Sequence, residues 1–123
     1  LQFYNRLLNT LRQSVVRNGT WQLLECRPAW EGNWTHDCFI AFAWQQPNHE
    51  KRLVVVNYSP HQSQCRLPLP FSDLGAGTWR LADEMSDVTY DREGHELEQP
   101  GLFLDLAPWQ AHIFSLTEVS KDT

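Results

Sequence analysis

The sequence predicts an all-β fold: an antiparallel Greek-key β-sandwich of about eight strands, preceded by one N-terminal α-helix. Three observations lead there. Short runs in which apolar and polar residues alternate recur from residue 20 to residue 116. Gly, Pro, Asn and Asp punctuate them, as turns between antiparallel strands require. The strand-helix-strand alternation that builds a parallel sheet is absent after residue 19.

The helix is expected over residues 1–17. Leu1, Tyr4, Leu8, Leu11 and Val15 recur at three- and four-residue intervals, with Leu7 beside them, while Arg6, Asn9, Arg12 and Gln13 fall largely on the other side. Asn18-Gly19 is a good stop, because glycine takes the left-handed conformation past a helix end. The first turn has no capping Ser, Thr, Asp or Asn. A helix with a clean end and no beginning is expected to continue upstream.

The strands follow in order. Residues 20–27 alternate, with Trp21, Leu23 and Glu25 opposite Gln22, Leu24 and Cys26. Residues 27–37 contain "RPAWEGNW" and read as a loop. In residues 38–44, Cys38, Ile40, Phe42 and Trp44 share one face. Residues 45–50 form a polar connection. "KRLVVVNYS", residues 51–59, is the strongest strand, and Leu53 to Val56 are apolar on both faces. A strand with one wet face would alternate, so this one is either central or covered by a neighbouring domain, with the N-terminal helix as a further source of cover. Residues 63–69 follow, with Pro68 and Pro70 marking an edge strand or its end. Shorter strands are expected at 77–82 and 88–91, with "DREG" (91–94) a turn in which Gly94 supplies the unusual dihedral. Residues 102–106 and 110–116 complete the set, joined by a corner at Pro108 and Trp109.

Length and composition bound the function. A chain of 123 residues is one domain able to bury a core without disulfide or metal. The formal net charge is -5 and Lys and Arg do not cluster, which excludes nucleic acid as the expected partner. No apolar run approaches the roughly 20 residues of a membrane span, so no membrane partner is expected. Cys26, Cys38 and Cys65 are an odd set without CxxC spacing, each in or beside a strand, and read as reduced core thiols. A cytoplasmic location is the expectation. Asn18, Asn33 and Asn57 each match the short glycosylation pattern; Asn57, closing an apolar strand, is a poor place for a glycan.

The expected reactive inventory is empty: catalytic residues none, metal ligands none, cofactor none. The acidic run "DEMSDVTYDREGHELE" (83–98) reads as a solvated hairpin without the ladder of a calcium loop. His36, His49, His61, His95 and His112 form no close ligand pair. His112 lies in a strand and is expected to be a hydrogen-bonded structural residue. Neither a GxSxG elbow nor a phosphate loop occurs. Six tryptophans are the unusual feature. Trp21, Trp44 and Trp79 are expected in the core, and Trp109 at the final corner. Trp30 and Trp34, in a polar loop, are the candidate site residues, for carbohydrate contact or a domain interface.

"FYNRLLNTLRQ", "CFIAFAWQQ", "RLVVVNYSPHQSQCRLPLP", "TWRLADEMSDVTYDREGHEL" and "PGLFLDLAPWQAHIFSL" resemble, in that order, the end of an α-amylase-family glycoside hydrolase. The resemblance covers nearly the whole chain. It implies that residues 1–18 are the tail of an upstream catalytic barrel's last helix and that residues 19–123 are its C-terminal all-β domain. The family's catalytic carboxylates lie in the barrel, at its strand ends, so none maps here. The implied role is non-catalytic, with the barrel of the same polypeptide as partner. The alternative is a carbohydrate-binding module that takes an α-glucan oligosaccharide through Trp30 and Trp34.

Overall fold

The computed structural model describes residues 20–45 and 50–119, with the backbone alone for Thr20 and Trp21. The expected N-terminal helix, most of the 45–50 connection and the side chain of Trp21 lie outside that description.

The eight expected strands occur where the alternation puts them: β1 (Thr20–Leu24), β2 (Phe39–Gln45), β3 (Lys51–Asn57), β4 (Ser63–Leu67), β5 (Thr78–Asp83), β6 (Thr89–Glu93), β7 (Leu102–Leu106) and β8 (Ala111–Glu118). They form two antiparallel sheets. The larger has the order β1-β2-β3-β8-β5-β6, and the smaller is β4 with β7. The main core lies between them. Leu53 and Val55 of β3, Leu81 of β5 and Phe114 of β8 meet Cys65 and Leu67 of β4 and Leu104 and Leu106 of β7. Each leucine fully withdrawn from water there contributes about 2 kcal/mol. Pro68 ends β4, which pairs with β7 alone among the named strands. Proline, lacking an N–H, is tolerated at such an edge.

The two apolar faces of β3 have the expected cause. β3 is central, between β2 and β8. Leu53 and Val55 enter the main core, while Val54 joins Trp44 and Ile113 in a second cluster on the outer face of the large sheet. Phe42, Val56 and Met85 pack around that cluster. Trp44 is therefore buried, but away from the main core, where β2 presents Ala41 and Ala43 instead. Trp79 is in the main core, and its indole N–H donates to the Leu74 carbonyl at 2.9 Å.

Lys51 carries a message the alternation does not. It is 1% exposed, and its Nζ lies 2.8 Å from Asp73 Oδ2, with the faces of Trp79 and Phe71 at 5.0 and 5.7 Å. An ammonium at such depth needs a carboxylate and polarisable neighbours. The contact ties the connection after β4 to the large sheet.

Two local expectations are corrected. "DREG" is not the hairpin turn. Asp91 to Glu93 complete β6, and the turn lies between Asp83 and Val88, closed by the Asp83 N–H on the Val88 carbonyl at 2.9 Å. Gly94 opens a short helix, α1 (Gly94–Glu96), and is not among the residues with positive φ. Glycine is needed there for space, since a Cβ would strike the carbonyl oxygens of Leu74 and Gly75. At the final corner Trp109 is 52% exposed and holds φ +62. It stays at that corner, its backbone N–H on the Ser59 carbonyl at 3.2 Å and its ring edge-on to Tyr58.

Candidate functional site

One end of the molecule gathers the connections before β2, after β3 and before β8. The first is held hard against β4. Arg27 and Arg66 exchange both backbone hydrogen bonds, at 2.8 and 2.9 Å. The Asn33 amide donates to Gln64 Oε1 at 3.0 Å, and its carbonyl oxygen accepts from the Thr35 N–H at 2.7 Å. Gln64 N–H in turn donates to Thr35 Oγ1 at 3.0 Å. With its polar groups satisfied inward, this loop turns Trp30 and Trp34 outward, at 54% and 58% exposure.

The connection after β3 is organised by Asn57, which is fully buried. Its amide nitrogen donates to the carbonyls of His61, Leu106 and Ala107 at 2.7, 3.1 and 3.0 Å. Its carbonyl oxygen accepts from Ser59 Oγ at 2.8 Å. One side chain thus joins the turn after β3 to the corner before β8. Both engaged amides, at Asn33 and Asn57, oppose the glycosylation pattern seen in the sequence.

Trp34 meets His61 edge-on at 5.6 Å and 78°. Tyr58 meets Trp109 at 5.4 Å and 88°. Among the described residues no ring contact joins Trp30 to Trp34. Leu23 and Ile40, on the outer face of the large sheet toward the same end, remain exposed. The sequence pointed to Trp30 and Trp34 but missed Tyr58, His61 and Trp109. The signal was an aromatic beside turn residues, in Tyr58-Ser59-Pro60 and Pro108-Trp109, where no strand periodicity carries the ring into a core.

Several titratable groups are held in pairs. In the acidic run, Glu84 pairs with Arg52 at 2.7 Å, Asp91 with Arg80 at 2.9 Å, and Glu96 lies 3.5 Å from Arg66. The Arg80 guanidinium holds Asp91 below the usual carboxylate range. Asp105 accepts from the side-chain amides of Gln62 and Gln64. Among the described residues no three His, Cys, Asp or Glu side chains converge as a metal site would need. The cysteines are free thiols. Hydrogen bonding to Cys26, then burial, pushes Cys65 up.

Among the described residues, the pairing of Asp83 with His112 comes nearest to catalytic equipment. His112 Nδ1 lies 2.7 Å from Asp83 Oδ2, but both side chains are shielded, at 3% and 1% exposure. No substrate reaches them. Burial pushes the Asp83 carboxyl up, yet hydrogen bonds from His112, the Ser86 hydroxyl and the Met85 and Ile113 N–H groups outweigh it and hold the pKa at about 2. His112 is thus the hydrogen-bonded structural residue expected. A carboxylate depressed by folding stabilises the native state above its unfolded pKa and loses that contribution as pH falls through its folded one. Asp83 should supply about 2 kcal/mol above pH ~4, lost between pH ~4 and ~2. In urea unfolding, Asp83→Asn should be least stable relative to the parent near neutrality, with the gap narrowing toward pH 2. A gap independent of pH would contradict the assignment.

No protein family, curated protein or solved structure matches the chain.

Proposed function

We propose that this chain is the non-catalytic C-terminal Greek-key β-sandwich domain of an α-amylase-like glycosidase or glucan-processing enzyme, and that it packs on and stabilises the catalytic barrel of the same polypeptide. Residues 1–18 would be the tail of the barrel's last helix. The ordered motifs from "FYNRLLNTLRQ" to "PGLFLDLAPWQAHIFSL" motivate the family. The observation that carries the role is the rigidly held aromatic end. Trp30, Trp34, Tyr58 and Trp109 each stand more than half exposed, beside Leu23 and Ile40. So many exposed aromatics on the connections at one end support an interface. The free thiols fit a reducing, cytoplasmic setting.

The alternative, α-glucan held by Trp30 and Trp34, fits the geometry less well. A sugar ring stacks on an open aromatic face, and a run of sugars favours faces that lie side by side. Here Trp34 stands edge-on to His61, and no ring contact joins it to Trp30 among the described residues.

Hydroxyl-radical footprinting of the 123-residue chain, compared with a longer polypeptide that includes the upstream coding sequence, tests the proposal. Trp30, Trp34, Tyr58 and Trp109 should be oxidised several-fold more slowly in the longer form. The short chain should not turn over maltodextrin. Equal oxidation in both forms would defeat the interface, and turnover lost on replacing a carboxylate of this chain would defeat the non-catalytic role. Maltoheptaose titration followed by tryptophan fluorescence should give no saturable change at millimolar sugar; saturation would favour the alternative.

A further inference from the structure

We propose that Cys26 and Cys65 close to an intramolecular disulfide when the chain meets a hydroperoxide, so that the pair is a reversible latch between the connection before β2 and strand β4. The backbones already lie side by side. Arg27 and Arg66 exchange both backbone hydrogen bonds, at 2.8 and 2.9 Å, and each cysteine is the residue before one of them. Side chains alternate along extended backbone, so both cysteines turn away from the arginines. Cys26 packs against the main core cluster, which contains Cys65, and the two thiols are hydrogen-bonded to each other. Diagonal neighbours across an antiparallel pair come close enough for such side chains to meet. Closing the sulfurs to about 2.05 Å then asks for a local shift. Cys26 can make it, because it lies between the end of β1 and the Arg27 bridge, outside the ladder.

The two thiols differ as the chemistry requires. Cys26 is half-buried and Cys65 is 0% exposed, so an oxidant from solvent meets Cys26 first. The hydrogen bond with Cys65 holds the Cys26 thiol below the usual thiol range, outweighing burial and the Glu25 charge. The same bond, then burial, pushes Cys65 up. An accessible, more acidic thiol beside a protected partner suits a peroxide-sensitive pair. The Cys26 thiolate attacks one oxygen of hydrogen peroxide and the O–O bond breaks. The leaving hydroxide takes up the proton that Cys26 gave, and Cys26 is left as a sulfenic acid. The Cys65 sulfur then attacks Cys26 Sγ, the S–O bond breaks, and the hydroxide leaves as water with the Cys65 proton. Two thiols are oxidised to one disulfide, and one hydrogen peroxide is reduced to two waters. The closed loop encloses β2 and β3. It fastens the start of the connection that carries Trp30 and Trp34, adding a covalent tie to the contacts of Asn33 and Thr35 with Gln64. Cys38 stands at the far end of that connection and is the comparison thiol. The latch is independent of any upstream barrel.

Peptide mapping of the full 123-residue chain tests it. The reduced chain is treated with hydrogen peroxide, its remaining thiols are blocked with iodoacetamide, and it is digested without reductant. A linked peptide joining Cys26 to Cys65 is expected, two hydrogens lighter than its separate parts, and dithiothreitol should abolish it. Before oxidation, iodoacetamide should label Cys26 several-fold faster than Cys65. In Cys65→Ser, Cys26 should stop as a sulfenic acid that dimedone traps, while Cys38→Ser should close the disulfide as the parent does. The oxidised monomer should melt several degrees above the reduced one. If Cys65→Ser fails to fold, the map of the parent chain still decides. An oxidised, still folded parent without the linked peptide would overturn the proposal. So would a link found only in dimers, a link of either residue to Cys38, or an oxidised monomer that melts no higher than the reduced one.

Discussion

Gly101→Ala should destabilise the fold by about 3 to 4 kcal/mol, a fall in Tm on the order of 10 °C or more. Two costs combine. Gly101 holds φ +111, a region that L side chains rarely adopt, and occupying it costs about 1–2 kcal/mol. A Cβ at this buried position would also strike the backbone of Leu67 and Pro68, where the start of β7 pairs with the end of β4. Backbone cannot rotate aside as a side chain does, so overpacking adds about 1–3 kcal/mol. Gly32 separates the two effects. Its φ is +85, but a Cβ there would find no atom within 4 Å, so Gly32→Ala should cost only about 1 kcal/mol. Guanidinium unfolding of the two variants checks the pair. Equal losses would mean that the chain at Gly101 approaches the end of β4 more loosely than these contacts require.

Asn57→Asp should cost a similar amount, about 4 kcal/mol near neutral pH. The substitution keeps the shape and removes every N–H the side chain gives. The carbonyls of His61, Leu106 and Ala107 would lose a shared donor and face a buried negative charge. Orphaned acceptors cost about 1–3 kcal/mol each, and a buried charge costs more until it is protonated. The loss should therefore shrink as pH falls and the new carboxyl takes up a proton. It should also spread in a specific pattern. Amide exchange should accelerate in the turn after β3 and in the corner before β8 before it does so in β5 and β6. A uniform acceleration, or a loss below about 1 kcal/mol, would contradict the role of Asn57 as the tie between those connections.

The eight strands were legible because each keeps a period of two between turn residues, and that pattern is local. β3 was legible even in its two-faced burial, since Leu53 to Val56 leave no wet side. What the sequence did not carry was tertiary choice. Trp44 looks like a main-core residue, but it lies on the outer face of β2, while the inner face brings Phe39, Ala41 and Ala43 to where the sheets meet. Lys51 looks like a solvated strand end; its burial depends on Asp73, Phe71 and Trp79, all remote in sequence. Gly94 was recognised as special, but for the wrong reason, because a close backbone approach cannot be read from the residues beside it. The aromatic end was half legible. Trp30 and Trp34 stand out in a polar loop, whereas Tyr58 and Trp109 become one surface only when Asn57 draws their connections together.

The order of strands in the large sheet has a consequence for how the chain folds. β8 is inserted between β3 and β5, and its pairing of Leu116 with Lys51 spans roughly half the sequence. Until β8 arrives, β1-β2-β3 and β5-β6 are two separate fragments with raw inner borders. Closing so long a loop is entropically slow, and contacts this remote in sequence give slow folding. During synthesis the emerging polypeptide would hold both half-built ribbons open, and sealing would come in one late step when the closing strand slides between them.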